Sequence, residues 1–313
     1  MSDRKQIVLP GGRRVVLVPR EQLRRTTHGR TLRVPDHLPA LAAQVPTPPA
    51  AADWSRGRTI RYPILGNDRE GDCYLCDALH CVQTWTGNNG PEAQFDTNAV
   101  LALYHQLSGG DNGLSDGEII PAWKKGLFGH KILDDLAVDP RDDAAIRLGL
   151  YLFGGGSYTA SLLDTWETDI HDGVTWDANG RPDPMAGHAM HLSGYTPAVY
   201  QDETWGLRVN LTPAGLKASD PEVTVQFSLE WFNARGIAPN GFTYDQLAVL
   251  WRQLGGTTLP PSPFGPAPDP TPGPASGLKT MGISLQFDDW TNGLAVGSIA
   301  QVRGTARVTG VGR

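Results

Sequence analysis

DWSRGRTIRYPILGNDREGDCYLCDALHCVQTW, from Asp53 to Trp85, is the stretch that decides the fold of this chain. Its second half predicts a helix over 72–86, with Leu75 and Leu79 on one face. Cys73 then falls in the first turn of that helix. A thiol at a helix N-terminus is stabilised as thiolate, so this cysteine is the first candidate for chemistry.

Length and composition indicate a globular chain. Its 313 residues, 40% of them hydrophobic, suffice for one large domain, or for one domain with a small appendage. No run approaches the roughly 18 apolar residues of a membrane span, and the N-terminus lacks the apolar core of a secretory signal. The default expectation is cytoplasmic synthesis, with export by another route or incorporation in a particle left open.

The charge is unevenly distributed. The net charge is -6, but residues 1–35 carry about +7 and the remainder about -13. Such a basic arm can bind nucleic acid or an anionic surface. We favour a solvated arm lying on the acidic body of the same chain, and we predict no nucleic-acid binding.

The pattern changes along the chain predict an α+β organisation. Residues 1–52 are a basic N-terminal arm that contains a hairpin at 7–18, and residues 53–256 form the core. The core divides into a helical lobe at about 53–153 and a β-rich lobe at about 154–256. The predicted helices are 72–86, 96–108, 140–153, 228–235 and 243–254, and the clearest strands are 188–195 and 205–211.

The C-terminal part differs in composition from the core. Residues 257–276 contain eight prolines and predict a semi-extended linker. Residues 277–313 alternate as short strands and are too few to bury much core alone. We expect this small β-rich segment to dock on its own core, on a partner protein or on another copy of the chain.

Three motifs in order resemble the papain-like cysteine peptidases. Asp53-Trp54 is followed by Gly71-Asp72-Cys73, and an amide side chain, Asn67, stands six residues before the cysteine. Gly187-His188-Ala189 opens a strand that ends in Gly-Tyr, and Thr204-Trp205-Gly206 is similar to the family's Asn-Ser-Trp-Gly turn. The chain also resembles a bacterial and phage branch with GNDRxGDC and GHA motifs.

The resemblance implies a two-lobe papain-like fold and a cysteine peptidase or amidase acting on a peptide or amide substrate. Cys73 would be the nucleophile and His188 its base, with an acyl-thioester intermediate. The oxyanion would be bound by the backbone N–H of Cys73 and the amide of Asn67. No cofactor and no metal site is expected, since no Cys/His spacing matches a known zinc motif.

Some positions depart from the family pattern. Asn67 is one methylene shorter than the usual Gln, and Glu203 occupies the slot of the Asn that orients the histidine. A carboxylate can orient an imidazole, so Glu203 is kept as a candidate. Asp72 would oppose thiolate formation at Cys73 if its charge lies near the sulfur.

More than one cysteine could be the nucleophile. Cys73 and Cys76 form a CxxC, and the spacing from the Asp-Trp pair favours Cys73. Cys81 is predicted to be a small buried residue. His191 lies three residues after His188 and is predicted to be a packed or exposed histidine rather than a second base.

Other functional interpretations compete with the hydrolase. The core could be a catalytically inactive scaffold for assembly or binding in a virion or secreted particle, or a CxxC redox protein, although the βαβ context of the latter is missing. The arm before Trp54 stands where the family carries a propeptide, which raises autoprocessing as a hypothesis. Cleavage near residues 45–53 that is absent in Cys73→Ala would support it, and an intact N-terminus in active protein would remove it.

Overall fold

The computed structural model describes residues 4–24, 30–32 and 45–265. All of them belong to one compact unit that extends to Asp269. Most of the predicted linker and the whole segment 277–313 lie outside the described residues. Residues 257–265, the described part of the linker, contain neither helix nor strand.

The elements confirm the predicted α+β class. The strands are β1 (Gln6–Val8), β2 (Arg14–Val16), β3 (Thr31–Leu32), β4 (Ala52–Asp53), β5 (Ile132–Val138), β6 (Gly156–Leu163), β7 (Pro182–Tyr195), β8 (Tyr200–Thr204), β9 (Leu207–Leu211) and β10 (Glu222–Ser228). The helices are α1 (Cys73–Asn89), α2 (Thr97–Ser108), α3 (Asp116–Lys125), α4 (Asp143–Phe153), α5 (Trp166–Asp172), α6 (Pro213–Ala218) and α7 (Tyr244–Gln253). Among the described residues, no helix is long and apolar enough to cross a membrane.

One sheet organises the compact unit. Its strands are ordered β3-β5-β10-β6-β7-β8-β9, and β4 adds to the end of β7. The pairs are antiparallel except β3 with β5. The long strand β7 is therefore central, and antiparallel neighbours flank it on both sides.

Helix α1 is the core helix, and it begins at Cys73 as predicted. Fourteen of its 17 residues are buried. A helix that is buried on nearly every side needs no narrow apolar stripe, and this one carries polar side chains inward as well. Trp85 stacks on Trp123 with ring centroids 5.7 Å apart, and its indole N–H donates to the Phe153 carbonyl at 2.9 Å. These contacts fix the helix in the core.

Helices α2 and α4 lie where the sequence predicts helices, and each is capped by a side chain that binds a backbone N–H group, although the cap of α4 is Asp142 rather than a residue before 140. Asp96 accepts from Ala99 N at 2.9 Å, and Asp142 accepts from Ala145 N at 2.9 Å. Such caps each contribute about 1 kcal/mol. The start of α4 at Asp143 lies three residues beyond the predicted start at 140.

Two predictions of secondary structure were wrong. β5 is a strand inside the part expected to be mostly helical, because its backbone pairs with β10 and β3. The sheet can hold Asp134 because Arg30, Trp251 and Thr257 bind its carboxylate. The helix expected at 228–235 is only a 3₁₀ turn, Leu229–Trp231. The residues that pair with these two segments are distant in sequence, so the local sequence pattern alone could not predict either structure.

Residues 4–24, the described part of the N-terminal arm before residue 30, form a hairpin and a buried segment. β1 and β2 form the predicted antiparallel hairpin, and Gly11 and Gly12 at its turn have φ of 86° and 80°. Residues 15–20 are buried. The segment that follows the hairpin therefore lies against the rest of the compact unit.

Candidate active site

Cys73 lies where the helix N-terminus meets the sheet. It is the first residue of α1, it is 2% exposed, and the backbone N–H of Ala189 is near enough to its thiol to lower the pKa of that group. Ala189 directly follows His188 on β7. The structure thus brings the predicted nucleophile to the strand segment that carries the predicted base.

The other thiol of the CxxC points elsewhere. Cys76 Sγ contacts the carbonyl of Ile64 at 3.7 Å. All three cysteines of the chain are free and buried. Of Cys73 and Cys76, Cys73 is the one at the first turn of the helix and beside the His188 segment.

His188 is held on one side and unpaired on the other. Its Nε2 lies 2.6 Å from the hydroxyl oxygen of Thr204, and its ring stacks on Trp205 with centroids 4.1 Å apart and planes 16° apart. Its Nδ1 has no hydrogen-bond partner among the described residues. The imidazole is therefore oriented by Thr204, shielded by Trp205 and free to exchange a proton at Nδ1.

Glu203 is not at His188. Its carboxylate accepts hydrogen bonds from Ser193 Oγ at 2.8 Å and from Arg208 Nε at 2.7 Å. The contact at His188 Nε2 is therefore made by the neighbouring Thr204 and not by Glu203. The physical reason is that adjacent residues of a strand point to opposite faces, so a shift of one position exchanges the side chain at the histidine.

Asn67 lies close to the helix start but is engaged. Its amide nitrogen donates to the Glu70 carbonyl at 3.3 Å, a long and therefore weak hydrogen bond, and its side chain also lies near the Asp72 carboxyl. The residue is 3% exposed. The bond to the Glu70 carbonyl uses one of the two N–H groups of the amide.

Burial keeps the Cys–His pair neutral in this state. Burial raises the pKa of Cys73 to about 12, against the effect of the Ala189 N–H, and the Asp72 and Asp77 charges add to the rise. Burial likewise lowers the pKa of His188 to about 3, with His80 adding to the effect. At neutral pH the site holds a thiol and a neutral imidazole, not an ion pair.

The N-terminal segment contacts the backbone that leads into both candidate residues. Val18 and Gly187 form an antiparallel bridge, with Val18 N donating to Gly187 O at 3.2 Å and Gly187 N donating to Val18 O at 2.6 Å. A Cβ on Gly71 would overlap the Val18 side chain. Gly71 precedes Cys73 by two residues and Gly187 directly precedes His188, so Val18 lies close to the start of both segments.

Ion pairs hold the covering segment on the acidic body. Arg4 pairs with Asp111 at 2.5 Å and Lys5 with Asp183 at 2.7 Å. Arg20, which is 2% exposed, donates to the Asp220 carbonyl at 3.0 Å. This is the arrangement favoured from the charge distribution, a basic arm lying on the chain's own acidic residues.

A second Cys–His contact lies deeper, and sequence reasoning missed it. Cys81 Sγ is 3.2 Å from His191 Nδ1, and both residues are fully buried. Both are packed residues, as expected, but nothing in their separate patterns indicated that they meet. The spacing gave no signal either. Cys81 follows Cys73 by eight helix residues, about two turns, but His191 follows His188 by three strand residues, whereas residues on one face of a strand are an even number apart.

Comparisons with known proteins give structural resemblances only. No family model and no curated protein matches the chain. Among solved structures it is similar to xylellain, a cysteine protease from Xylella fastidiosa, with 12% identity over 66% of this chain and 98% of that chain and a TM-score of 0.46. It is also similar to procathepsin B S9 from Trypanosoma congolense, with 10% identity over 65% of this chain and 84% of that chain and a TM-score of 0.48.

A third similar structure is a recombinant stem bromelain precursor, with 11% identity over 64% of this chain and 75% of that chain and a TM-score of 0.40. The solved structures named here are papain-like cysteine proteases or their precursors. At these identities and TM-scores the likeness alone assigns neither an activity nor site residues.

Asp72 makes the stability of the fold depend on pH. Burial raises its pKa to about 8, so the folded chain keeps a proton that the unfolded chain, with the usual pKa of 3.8, has released. The free energy of unfolding therefore falls as pH rises through this window. Between pH 6.5 and 8 the wild type should lose more of its free energy of unfolding than Asp72→Asn does, by about 1–2 kcal/mol. Urea denaturation at the two pH values measures this difference.

Asp177→Asn is the matched control. The hydroxyl of Thr212 lowers the pKa of the exposed Asp177 carboxyl, so this carboxyl is ionised at both pH values. Its replacement should therefore leave the change in the free energy of unfolding between pH 6.5 and 8 as it is in the wild type. An Asp72→Asn variant that loses as much stability as the wild type between the two pH values would contradict the assignment.

Proposed function

We propose that the chain is a cysteine peptidase or amidase with Cys73 as nucleophile and His188 as base, and that residues 4–24 hold it in a covered state. The observation that carries the proposal is the position of Cys73, at the first residue of α1 and against the strand residue that follows His188. The unpaired Nδ1 and the Thr204 contact at Nε2 give the imidazole the orientation a base needs.

The chemistry follows from these positions once the site is uncovered. The Cys73 thiol transfers its proton to His188 and attacks the substrate carbonyl, and the imidazolium then protonates the departing amine. Water, deprotonated by His188, hydrolyses the acyl-thioester and restores the thiol. The N–H of Cys73, which has no intrahelical partner at this position, is the first oxyanion donor, and Asn67 is the candidate for the second.

Thr204 and Glu203 have different roles in this proposal. Thr204 positions His188 through Nε2, and Trp205 excludes water from the ring. Glu203 acts indirectly, because its ion pair with Arg208 at 2.6 Å holds the strand beside the site. Neither residue touches the substrate carbonyl in the proposed mechanism.

A catalytically inactive scaffold is the second candidate. The observation that favours it is the same burial, which leaves Cys73 and His188 neutral at pH 7. A covered enzyme and an inactive scaffold differ in what happens when the cover shifts. In the enzyme the thiol becomes activated by the imidazole, whereas in the scaffold it becomes exposed but stays an ordinary thiol.

Gly187→Ala should displace the part of residues 4–24 that lies against Gly187. A Cβ there would lie 2.7 Å from Val18 O and 2.8 Å from Arg20 Cα, both backbone atoms, so the segment must shift. We expect iodoacetamide to alkylate Cys73 at least about tenfold faster at pH 7, read by peptide mass spectrometry, since hydration lowers the thiol pKa. Gly90→Ala is the control, because a Cβ at Gly90 meets open space. Equal rates in the two variants would show that Val18 does not cover the thiol.

His188→Ala in the Gly187→Ala background separates the enzyme from the scaffold. In the opened protein, alkylation of Cys73 should stay fast below pH 7 and should lose that low-pH phase when His188 is absent, because the imidazolium stabilises the thiolate. If both variants react only near pH 8–9, the thiol is not activated by His188 and the scaffold is the better interpretation.

Thr204→Val, in the same opened background, tests the positioning role. Removing the oxygen at Nε2 should raise the apparent pKa of Cys73 alkylation by about one unit, since a hydrogen bond to a charged group contributes about 1.5–3 kcal/mol. Thr204→Ser should restore the wild-type profile. Glu203→Gln should leave the profile in place while lowering the melting temperature, because Arg208 loses its charged partner. If the pH profile of Cys73 alkylation shifts in Glu203→Gln and not in Thr204→Val, then Glu203 rather than Thr204 positions His188.

A further inference from the structure

A cluster of metal-binding side chains lies under the candidate active site and takes no part in the proposed mechanism. It consists of Asp77, Cys81 and His191. Their oxygen, sulfur and nitrogen ligand atoms all lie within 4.8 Å of one another, and the three residues are buried. The cluster combines the thiolate, imidazole and carboxylate ligands that proteins use for zinc.

Two elements of fixed geometry supply the three side chains. Asp77 and Cys81 are four residues apart on α1 and so share one face of the helix. His191 comes from β7, the central strand against which that face packs. A set built on a buried helix and a central strand is held more rigidly than one built on loops.

The hydrogen bonds of His191 leave the correct nitrogen for a metal. Thr84 Oγ1 lies 3.0 Å from the His80 carbonyl and 2.7 Å from His191 Nε2, and when the Thr84 proton is donated to the carbonyl, Thr84 accepts from His191 Nε2–H. The Nε2–H tautomer leaves a lone pair on Nδ1, the atom that faces Cys81 at 3.2 Å. Metal-binding histidines commonly donate their other N–H to an oxygen in this way.

Asp77 provides the second, independent observation. Its side chain is 1% exposed, and neither carboxylate oxygen has a hydrogen-bond partner among the described residues. A buried carboxylate without a partner is costly unless it is protonated or binds a cation.

We propose that Asp77, Cys81 and His191 bind one divalent metal ion of the zinc type, which joins α1 to β7 beneath the candidate active site. A carboxylate, a thiolate and a neutral imidazole together carry two negative charges, which the ion neutralises. The three ligand atoms lie within 4.8 Å of one another and must move inward to make zinc bonds of about 2.0–2.3 Å, and a water molecule would complete the tetrahedron.

Binding has a defined proton balance. The Cys81 thiol releases its proton to solvent, Asp77 releases one if it is protonated, and neutral His191 releases none. Because the ligands are fully buried, the ion must enter while the chain folds rather than by diffusion into the folded protein. Its role is structural, since nothing brings a substrate to this depth in the described part of the chain.

The first test is the zinc content of the full-length chain. The protein is refolded from denaturant with zinc, dialysed against metal-free buffer and analysed by mass spectrometry of the metal. We expect one ion per chain in the wild type, and loss of that ion in Cys81→Ser and Asp77→Asn. Cys76→Ser is the matched control, because Cys76 lies on the same helix, is equally buried and contacts Ile64 instead.

The second test does not require those variants to fold. Cys73→Ser/Cys76→Ser leaves Cys81 as the only thiol of the chain, which has three cysteines. Refolded with cobalt, it should show a thiolate-to-cobalt charge-transfer band and the strong visible bands of a tetrahedral ion. The same variant also separates this site from Cys73, so its result is independent of the proposed hydrolase activity.

Several outcomes would overturn the proposal. One is a wild-type chain that refolds equally well with chelator and with zinc and holds no metal in either case, which would mean that a neutral hydrogen-bonded network with protonated Asp77 fills the site. A second is zinc that remains in Cys81→Ser. A third is a cobalt spectrum without a thiolate band in Cys73→Ser/Cys76→Ser.

Discussion

The packing of α1 along β7 is the contact on which the rest of the structure depends. A buried helix next to a central strand leaves no solvent for the polar side chains between them, so each must find a partner, change its protonation state or bind a ligand. Cys73 meets the His188 segment at the start of the helix, and Cys81 meets His191 two turns later. One interface therefore creates both the candidate active site and the candidate metal site.

Burial controls the chemistry at both places in opposite ways. At Cys73 and His188 burial favours the neutral forms of both groups, which in the proposed function is the inactive state of the nucleophile. At Asp77 and Cys81 burial penalises uncompensated negative charge, which a divalent cation would relieve. The same loss of hydration would therefore lower the reactivity of Cys73 and raise the affinity of the proposed metal site.

The covering segment combines specific and nonspecific interactions. Its ion pairs with the acidic body are at the edge of solvent and each contributes about 0–1 kcal/mol. The Val18–Gly187 bridge is the specific interaction, because two backbone hydrogen bonds fix the position of Val18 next to Gly187. The absence of side chains at Gly71 and Gly187 is what allows this approach, since a Cβ at either position would meet the segment.

The sequence by itself determined the α+β class, the position of Cys73 in the first turn of α1, the helix α2, and the order of the cysteine and the histidine. These follow from local patterns: helical spacing, capping residues and short motifs. Only the tertiary structure decided that β5 joins the sheet despite its aspartates, that Thr204 rather than Glu203 meets His188, and that Cys81 meets His191. Each of these depends on partners distant in sequence or on a one-residue choice of strand face, and local patterns carry no information about either.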